Sequence, residues 1–217
     1  MKPADIDHDD LMHATLLQRP FTRPGWSFEM KLDGFRSLAR RDGDLVELIS
    51  RNGNMLGAAF PEIVRALKAV PGNWVLDAEL VVPDSKGRPS FDRVRRRAVM
   101  KLTKTIVDAV TKAPASLCVF DVLYARNSDV RVLPLSERRE LLGELVKPRP
   151  GLQVVSSIEG HGEVVFAKAC ELDLEGIVGK QDDSPYQRGK RPTWVKIKNR
   201  DYSRQAAVGQ LRGAGEP

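Results

Sequence analysis

The sequence predicts an α+β domain built on antiparallel β-sheets flanked by helices. Three observations predict it. Apolar and polar residues alternate over short segments bounded by turn residues, the pattern of strands with one buried face. Asp42-Gly43-Asp44 separates two such segments, a hairpin signal of the Asp-Gly type. Interspersed with the strand-like segments are stretches whose apolar residues recur at helical spacing.

Taken in order, residues 1–20 hold Pro3 and Pro20 and little periodicity, and read as an irregular lead-in that runs on to Pro24. Trp26 to Met30 reads as a strand delivering Lys31 to a turn at Asp33-Gly34. Phe35 to Arg41 and Leu45 to Ser50 form the hairpin arms. Pro61 to Val70 has helical spacing with Pro61 in the first turn. Trp74 to Val82 alternates as a strand carrying Glu79, and Asp84 to Gly87 turns the chain into a basic helix over Phe91 to Met100. Ser116 to Tyr124 is a mostly apolar strand, and Ser136 to Leu145 a helix with Ser136 as its N-cap. A strand at Val154 to Ser156, a helix at Glu163 to Glu171, and strands at Gly176 to Lys180 and Trp194 to Lys198 complete the order. The domain is set at 21–202, and 203–217 reads as a loose tail ending Gly213-Ala214-Gly215.

The chain has 217 residues, 41% hydrophobic and 29% charged, a composition of globular proteins with room for a sizeable core. No apolar run approaches the roughly 18 residues of a membrane span, and the acidic N-terminus is not a signal peptide. A cytoplasmic location, no membrane partner and a monomer are the expectations. Cys118 and Cys170 supply neither a disulfide framework nor a zinc set and read as two buried thiols. His8, His13 and His161 read as structural or solvent-facing. The net charge of +6 favours a polyanionic partner, nucleic acid above all. It concentrates in Arg93, Arg95, Arg96, Arg97, Lys101 and Lys104, a stretch without one acid, and in a second group from Arg188 to Arg200. A charge run is ordinarily a solvated helix face. Beside nucleotide-handling residues, these runs read instead as a DNA phosphate-backbone track.

The most informative stretch is Glu29-Met30-Lys31-Leu32-Asp33-Gly34-Phe35-Arg36. A lysine is a nucleophile only as the neutral amine, a form favoured by burial or a second cation. Asp33 could orient Lys31, Gly34 could let the backbone approach a ligand, and Arg36 could bind phosphate or ribose oxygens. By itself the string also fits a solvated surface patch. There is no G-x-x-x-x-G-K-[ST] loop, no G-x-G-x-x-G loop and no zinc spacing, so P-loop, Rossmann and zinc sites are unsupported.

K-x-D-G-x-R resembles the nucleotidyl-lysine motif of ATP-dependent DNA ligases, RNA ligases and mRNA capping enzymes. Further blocks follow in that superfamily's order: SRNG at Ser50 to Gly53, LDAEL at Leu76 to Leu80, FDVLY at Phe120 to Tyr124, EGIVGK at Glu175 to Lys180 and WVKIK at Trp194 to Lys198. The stretch PFTRPGWSFEMKLDGFR resembles the entry to the ligase domain of bacterial end-joining DNA ligases. The resemblance runs from about Pro20 to Tyr202 and implies their ATP-grasp-like nucleotidyltransferase domain.

The resemblance implies attack by Lys31 on the α-phosphorus of ATP, with Mg²⁺ as cofactor, to give lysyl-AMP and pyrophosphate. Sealing of a 5′-phosphate to a 3′-hydroxyl in nicked or broken double-stranded DNA would follow, in repair, recombination or replication. It implies that Glu29 meets the adenine edge, that Arg36 and Arg51 hold ribose or phosphate oxygens, and that Phe120 stacks on the purine. Glu79 would meet a ribose hydroxyl or a metal, and Glu175 would be the main metal ligand. Lys196 and Lys198 alternate on one strand and would both reach the α-phosphate, with Trp194 on the same face for packing. Lys180 reads either as a further phosphate contact or as a surface residue. Such ligases continue into an OB fold after the WVKIK block, where only Ser203 to Pro217 follow here. A piece of a longer ligase, a stand-alone domain with a separate OB-fold or end-joining partner, and a reduced paralogue all fit. RNA ligation, capping-type guanylylation and a non-catalytic nucleic-acid-binding module are the rival readings.

Overall fold

The computed structural model describes residues 2–203; the expected tail, Ser203 apart, lies outside them. Two 3₁₀ turns, Pro3–Asp5 and His8–Asp10, precede eleven strands and five helices. The strands are β1 (Met12–Leu17), β2 (Trp26–Met30), β3 (Phe35–Asp42), β4 (Leu45–Ser50), β5 (Trp74–Val81), β6 (Ser116–Ala125), β7 (Ser128–Asp129), β8 (Leu152–Val154), β9 (Ser157–Glu159), β10 (Gly176–Gln181) and β11 (Gly189–Lys198). The helices are α1 (Pro61–Lys68), α2 (Phe91–Ala98), α3 (Thr103–Lys112), α4 (Leu135–Leu145) and α5 (Gly162–Glu171).

The chain divides into two compact units. Among the described residues, the first comprises 2–13, Asp33–Ser156 and Asp183–Gly189; the second comprises Ala14–Leu32, Ser157–Asp182 and 190–203.

The first unit holds a six-stranded sheet in the order β4-β3-β5-β6-β7, with β8 added beside β6. Its pairs are antiparallel except for β6 with β8, which run parallel. β3 and β4 meet through a two-residue loop in which Gly43 takes φ +60°, a conformation only glycine adopts freely. The odd-even alternation of β5 sends Trp74, Leu76, Ala78 and Leu80 into an apolar core with Phe60, Ile63 and Leu67 around α1 and Leu142 of α4. Each large side chain so buried contributes about 1.5–3 kcal/mol.

The second unit is a five-stranded sheet in the order β1-β11-β10-β2-β9. Trp26, Phe28, Ile177, Val195 and Ile197 cluster with Val165 and Ala169 of α5. Two glycines make room for the Phe28 ring. A Cβ at Gly162 would come within 2.5 Å of it, and one at Gly179 within 2.8 Å.

Four local expectations change. The lead-in contains β1, whose MHATLL lacks alternation because it pairs at the edge of the sheet and leaves Leu16 and Leu17 exposed. α3 was not anticipated, and only Ile106 of its ten residues is buried. Pro134, not Ser136, occupies the N-cap position of α4, and the helix begins at Leu135. The strand expected at Val154 to Ser156 is two strands, β8 and β9, with Ser156 in neither.

Candidate active site

In the second unit, antiparallel register decides which side chains share a face. Lys180 lies opposite Ser27 and Trp194, and Val178 opposite Glu29 and Lys196, while Gly176 lies opposite Lys198. Paired residues, and residues two apart, project to the same side of a sheet. Glu29, Lys180, Trp194, Lys196 and Lys198 therefore stand on the face that α5 leaves uncovered. Lys31, just past β2, continues the ladder by donating its backbone N–H to the Gly176 carbonyl at 2.9 Å.

That ladder step sets Lys31 beside Glu175. The Lys31 ammonium Nζ donates to Glu175 Oε2 at 2.5 Å, and Lys198 Nζ stands 3.8 Å from Oε1. Glu175 is held from behind: Asn199 donates its backbone N–H to the Glu175 carbonyl and its amide Nδ2 to the Leu174 carbonyl. Gly176 is required at this corner, because its φ is +138° and a Cβ would fall 2.0 Å from the Ile197 carbonyl oxygen. Deeper on the same face, Lys180 Nζ sits 2.9 and 2.8 Å from the two Glu29 oxygens and 4.3 Å over the Trp194 ring. Four lysines against two glutamates leave an excess of positive charge suited to a polyphosphate.

The first unit builds a second charged face on β3, β5 and β6. Arg36 grips Asp77 with two nitrogens, Nε to Oδ1 at 3.0 Å and Nη2 to Oδ2 at 2.6 Å. Tyr186 donates its hydroxyl to Asp77 Oδ2 at 2.7 Å and accepts from the Met12 N–H at 3.0 Å. Burial alone would lower the Arg36 pKa, but Asp77, Tyr186 and Glu79 together raise it above its ordinary value. Burial, and then Asp77, push the Tyr186 phenol well up, so it stays a donor. The β5–β6 ladder slips by one residue at Asp77/Ala78, and Phe120 is the extra residue of β6. Such a bulge re-aims a side chain; the Phe120 ring lies 5.5 Å below the Arg36 guanidinium. Glu79 stands opposite Arg36 in the ladder and Cys118 on its other side. Arg51 is exposed and tied by its backbone N–H to the Arg36 carbonyl at 2.9 Å.

Comparison with known proteins decides the family. The profile of the ATP dependent DNA ligase domain matches residues 12–198. The chain belongs to that family. It is 33% identical over 203 residues to the SPbeta prophage-derived DNA ligase-like protein LigB of Bacillus subtilis, covering 93% of this chain and 71% of that protein. It is 32% identical over 189 residues to the multifunctional non-homologous end joining protein LigD of Pseudomonas aeruginosa, covering 85% of this chain but only 21% of that one. Among solved structures, mycobacterial DNA ligase D complexed with ATP and MES superposes with a TM-score of 0.72 at 32% identity, over 88% of this chain and 60% of that chain. The fold is that of the nucleotidyltransferase domains of ATP-dependent DNA ligases, and the likeness to the bacteriophage T7 enzyme, at 17% identity, concerns the fold alone.

Within this family frame, several side chains sit differently from expectation. Arg97 leaves the DNA track. It is buried, clamps both Glu62 oxygens at 2.9 Å, donates Nε to the Ala59 carbonyl and lies over the Phe60 ring. The helical period turns it inward beside Val94, while Arg95, Arg96, Lys101 and Lys104 stay exposed. Arg93 is half-buried and donates to the Pro83 carbonyl. Asp33 Oδ2 accepts from the Phe91 N–H at the start of α2, and the carboxylate that orients Lys31 is that of Glu175. Gly34 serves packing, since a Cβ there would meet the Leu80 carbonyl oxygen at 2.3 Å. Lys180 is buried rather than on the surface. Cys170 is exposed, one step around α5 from buried Ala169.

Sequence reasoning assigned no role to Asp77 or Tyr186, nor to the buried pair of Arg138 with Asp121 at 2.8 and 2.9 Å. Asp77 and Asp121 stand inside the LDAEL and FDVLY blocks, where an acid at an otherwise apolar strand position was the available signal. Among the described residues no three His, Cys, Asp or Glu side chains cluster as a metal cage. Mg²⁺ is commonly bound by one or two carboxylates and completed by substrate phosphates. Glu175, a hard oxygen donor on a cationic face, fits that mode.

Proposed function

We propose that this chain performs the nucleotidyl-transfer step of DNA ligation. Lys31 Nζ attacks the α-phosphorus of ATP, pyrophosphate departs, and a lysyl-AMP phosphoramidate remains. AMP is then passed to a 5′-phosphate of nicked or broken duplex DNA, which frees the Lys31 amine, and attack of a 3′-hydroxyl on that 5′-phosphate releases AMP and joins the strand. The observation that carries the reading is the Lys31–Glu175 hydrogen bond on a lysine-rich sheet face. A nucleophilic amine needs a neighbouring base and cations around the phosphate, and both stand there.

Glu175 Oε2 orients Lys31 and is within reach of its proton. Lys196 and Lys198, one strand period apart, bind phosphate oxygens of the nucleotide. Glu29 offers its carboxylate to the exocyclic amine of adenine. Arg36, Arg51 and Glu79 contact ribose or phosphate oxygens, and Phe120 stacks on the purine. Mg²⁺ held by Glu175, with Glu79 as the other candidate ligand, supplies neutralisation of phosphate charge. Arg95, Arg96, Lys101 and Lys104 track the DNA backbone.

Intact mass after incubating pyrophosphate-stripped protein with Mg²⁺ and ATP tests the reading. The expected result is a gain of one AMP, absent in Lys31→Ala. No gain with Mg²⁺ and ATP alone, together with no joined product when nicked DNA is added, would overturn it.

A further inference from the structure

Segment 183–189 packs within the first unit, and at its centre Tyr186 is buried. Three contacts fix the residue from behind. Its backbone N–H donates to the Arg131 carbonyl at 2.8 Å, the Arg138 guanidinium stands 5.7 Å from its ring centre, and Arg138 donates to the Ser184 carbonyl at 3.0 Å. Phenylalanine would fill the same space, so packing does not account for the hydroxyl.

That hydroxyl accepts from the Met12 N–H at 3.0 Å, which turns its own proton toward Asp77 Oδ2 at 2.7 Å. Asp77 is fully buried and already receives two nitrogens of Arg36. The terminal torsion of an aspartate is broad, so a long arginine and its carboxylate can turn together. A third donor, carried on a fixed ring, sets the carboxylate plane. A bidentate guanidinium is matched to its carboxylate by two parallel bonds, so the orientation of Arg36 follows. The Phe120 ring, 5.5 Å away, bounds the guanidinium on its face.

We propose that Tyr186 is a positioning residue of the nucleotide site: through its hydroxyl bond to Asp77 it holds Arg36 in the orientation that binds ATP. This rests on the reading that Arg36 contacts ribose or phosphate oxygens of the nucleotide. Tyr186 touches no nucleotide in this scheme and acts through Asp77 and Arg36. A side chain ordered on folding need not be ordered again on binding, and affinity rises accordingly.

A double-mutant cycle on ATP affinity, read by titration calorimetry, tests it, with circular dichroism checking each variant's fold. Tyr186→Phe removes the hydroxyl and keeps the ring. In the wild-type background it should weaken ATP binding about fivefold, the scale of one hydrogen bond. In an Arg36→Met background the same change should alter affinity by less than about twofold, because the group it acts through is gone. The Met12 N–H loses its partner in both backgrounds, so any effect of that loss cancels in the cycle. Should Arg36→Met fail to fold with Asp77 left unpaired, Arg36→Met combined with Asp77→Asn takes its place as background and should show the same loss of effect. Equal weakening by Tyr186→Phe in both backgrounds would show the hydroxyl to be structural and overturn the proposal. If Arg36→Met weakens ATP binding while Tyr186→Phe does not, Arg36 stays in the site and only the role of Tyr186 falls. If Arg36→Met leaves ATP affinity unchanged, the reading of Arg36 itself fails, and the proposal fails with it.

Discussion

In the second unit the charged sheet face is built on lysines, Lys31 against Glu175 and Lys180 against Glu29; in the first it is built on arginines gripped by aspartates, Arg36 on Asp77 and Arg138 on Asp121. Arginine stays charged at any working pH and matches a carboxylate with two parallel bonds, so it makes a rigid and permanent cation. Lysine is a point charge that can give up its proton. On the proposed reading, the face that supplies the nucleophile uses the cation able to become neutral, and the face that holds groups in place uses the other. A second difference lies inside the lysine face. The Lys31 and Glu175 side chains are 22% and 16% exposed, whereas Lys180 and Glu29 are sealed.

The largest effect that would break this comparison is chemical. Lys31→Arg keeps the positive charge and should abolish the AMP adduct as completely as Lys31→Ala, read by intact mass. An adduct on the arginine variant would show that another residue is the nucleophile. Next in size is the contrast in stability. Asp77→Ala leaves the mostly buried Arg36 without its partner and should cost about 3–5 kcal/mol in urea unfolding. Glu175→Ala breaks a partly wet pair and should cost about 1 kcal/mol or less while eliminating metal-dependent adenylation. Similar losses for the two would erase the distinction between the holding face and the reacting face.

A smaller effect separates the arginines of α2. Arg97→Ala should lower stability by about 2–3 kcal/mol, as expected when a buried ion pair with Glu62 is broken, and leave nicked-DNA affinity unchanged. Charge reversal at Arg95 and Arg96 should do the opposite. Stability should stay within about 0.5 kcal/mol, DNA binding should weaken about tenfold at low salt, and its salt dependence should flatten. Salt-series binding and urea curves on both variants decide it.

The smallest expected effect concerns the thiols. Burial, then the nearby Glu79, push Cys118 up to about 11. A raised thiol pKa means less thiolate at every pH below it, roughly one part in a thousand at pH 8. A chromogenic disulfide reagent at pH 8 should therefore titrate one thiol quickly, exposed Cys170, and reach Cys118 only on unfolding. Two equal rapid phases would show that the β5–β6 region opens readily.

Much of the fold was legible along the chain because its signals are local. The Asp-Gly hairpin, the alternation of Trp74 to Val82 and the helical spacing after Pro61 each depend on neighbours within a few residues. The motif blocks likewise named Lys31, Glu175, Lys196 and Lys198, and strand periodicity alone set the last two on one face. Edge pairing was not legible, so β1 passed as a lead-in, and α3, a helix with one buried residue, went unassigned. Nor could the sequence say which acid meets which cation. Asp33 is two residues from Lys31, yet the oriented partner is Glu175, 144 positions away, because the ladder between Lys31 and Gly176 brings them together. Arg97 sits among surface arginines in sequence and in the core in space, since one step of a helix turns a side chain through about 100°. Residue types and their spacing determined the chemistry this chain can carry. Register and burial, which arise only when distant strands pair, decided which charges are paired, which are sealed and which remain within reach of a ligand.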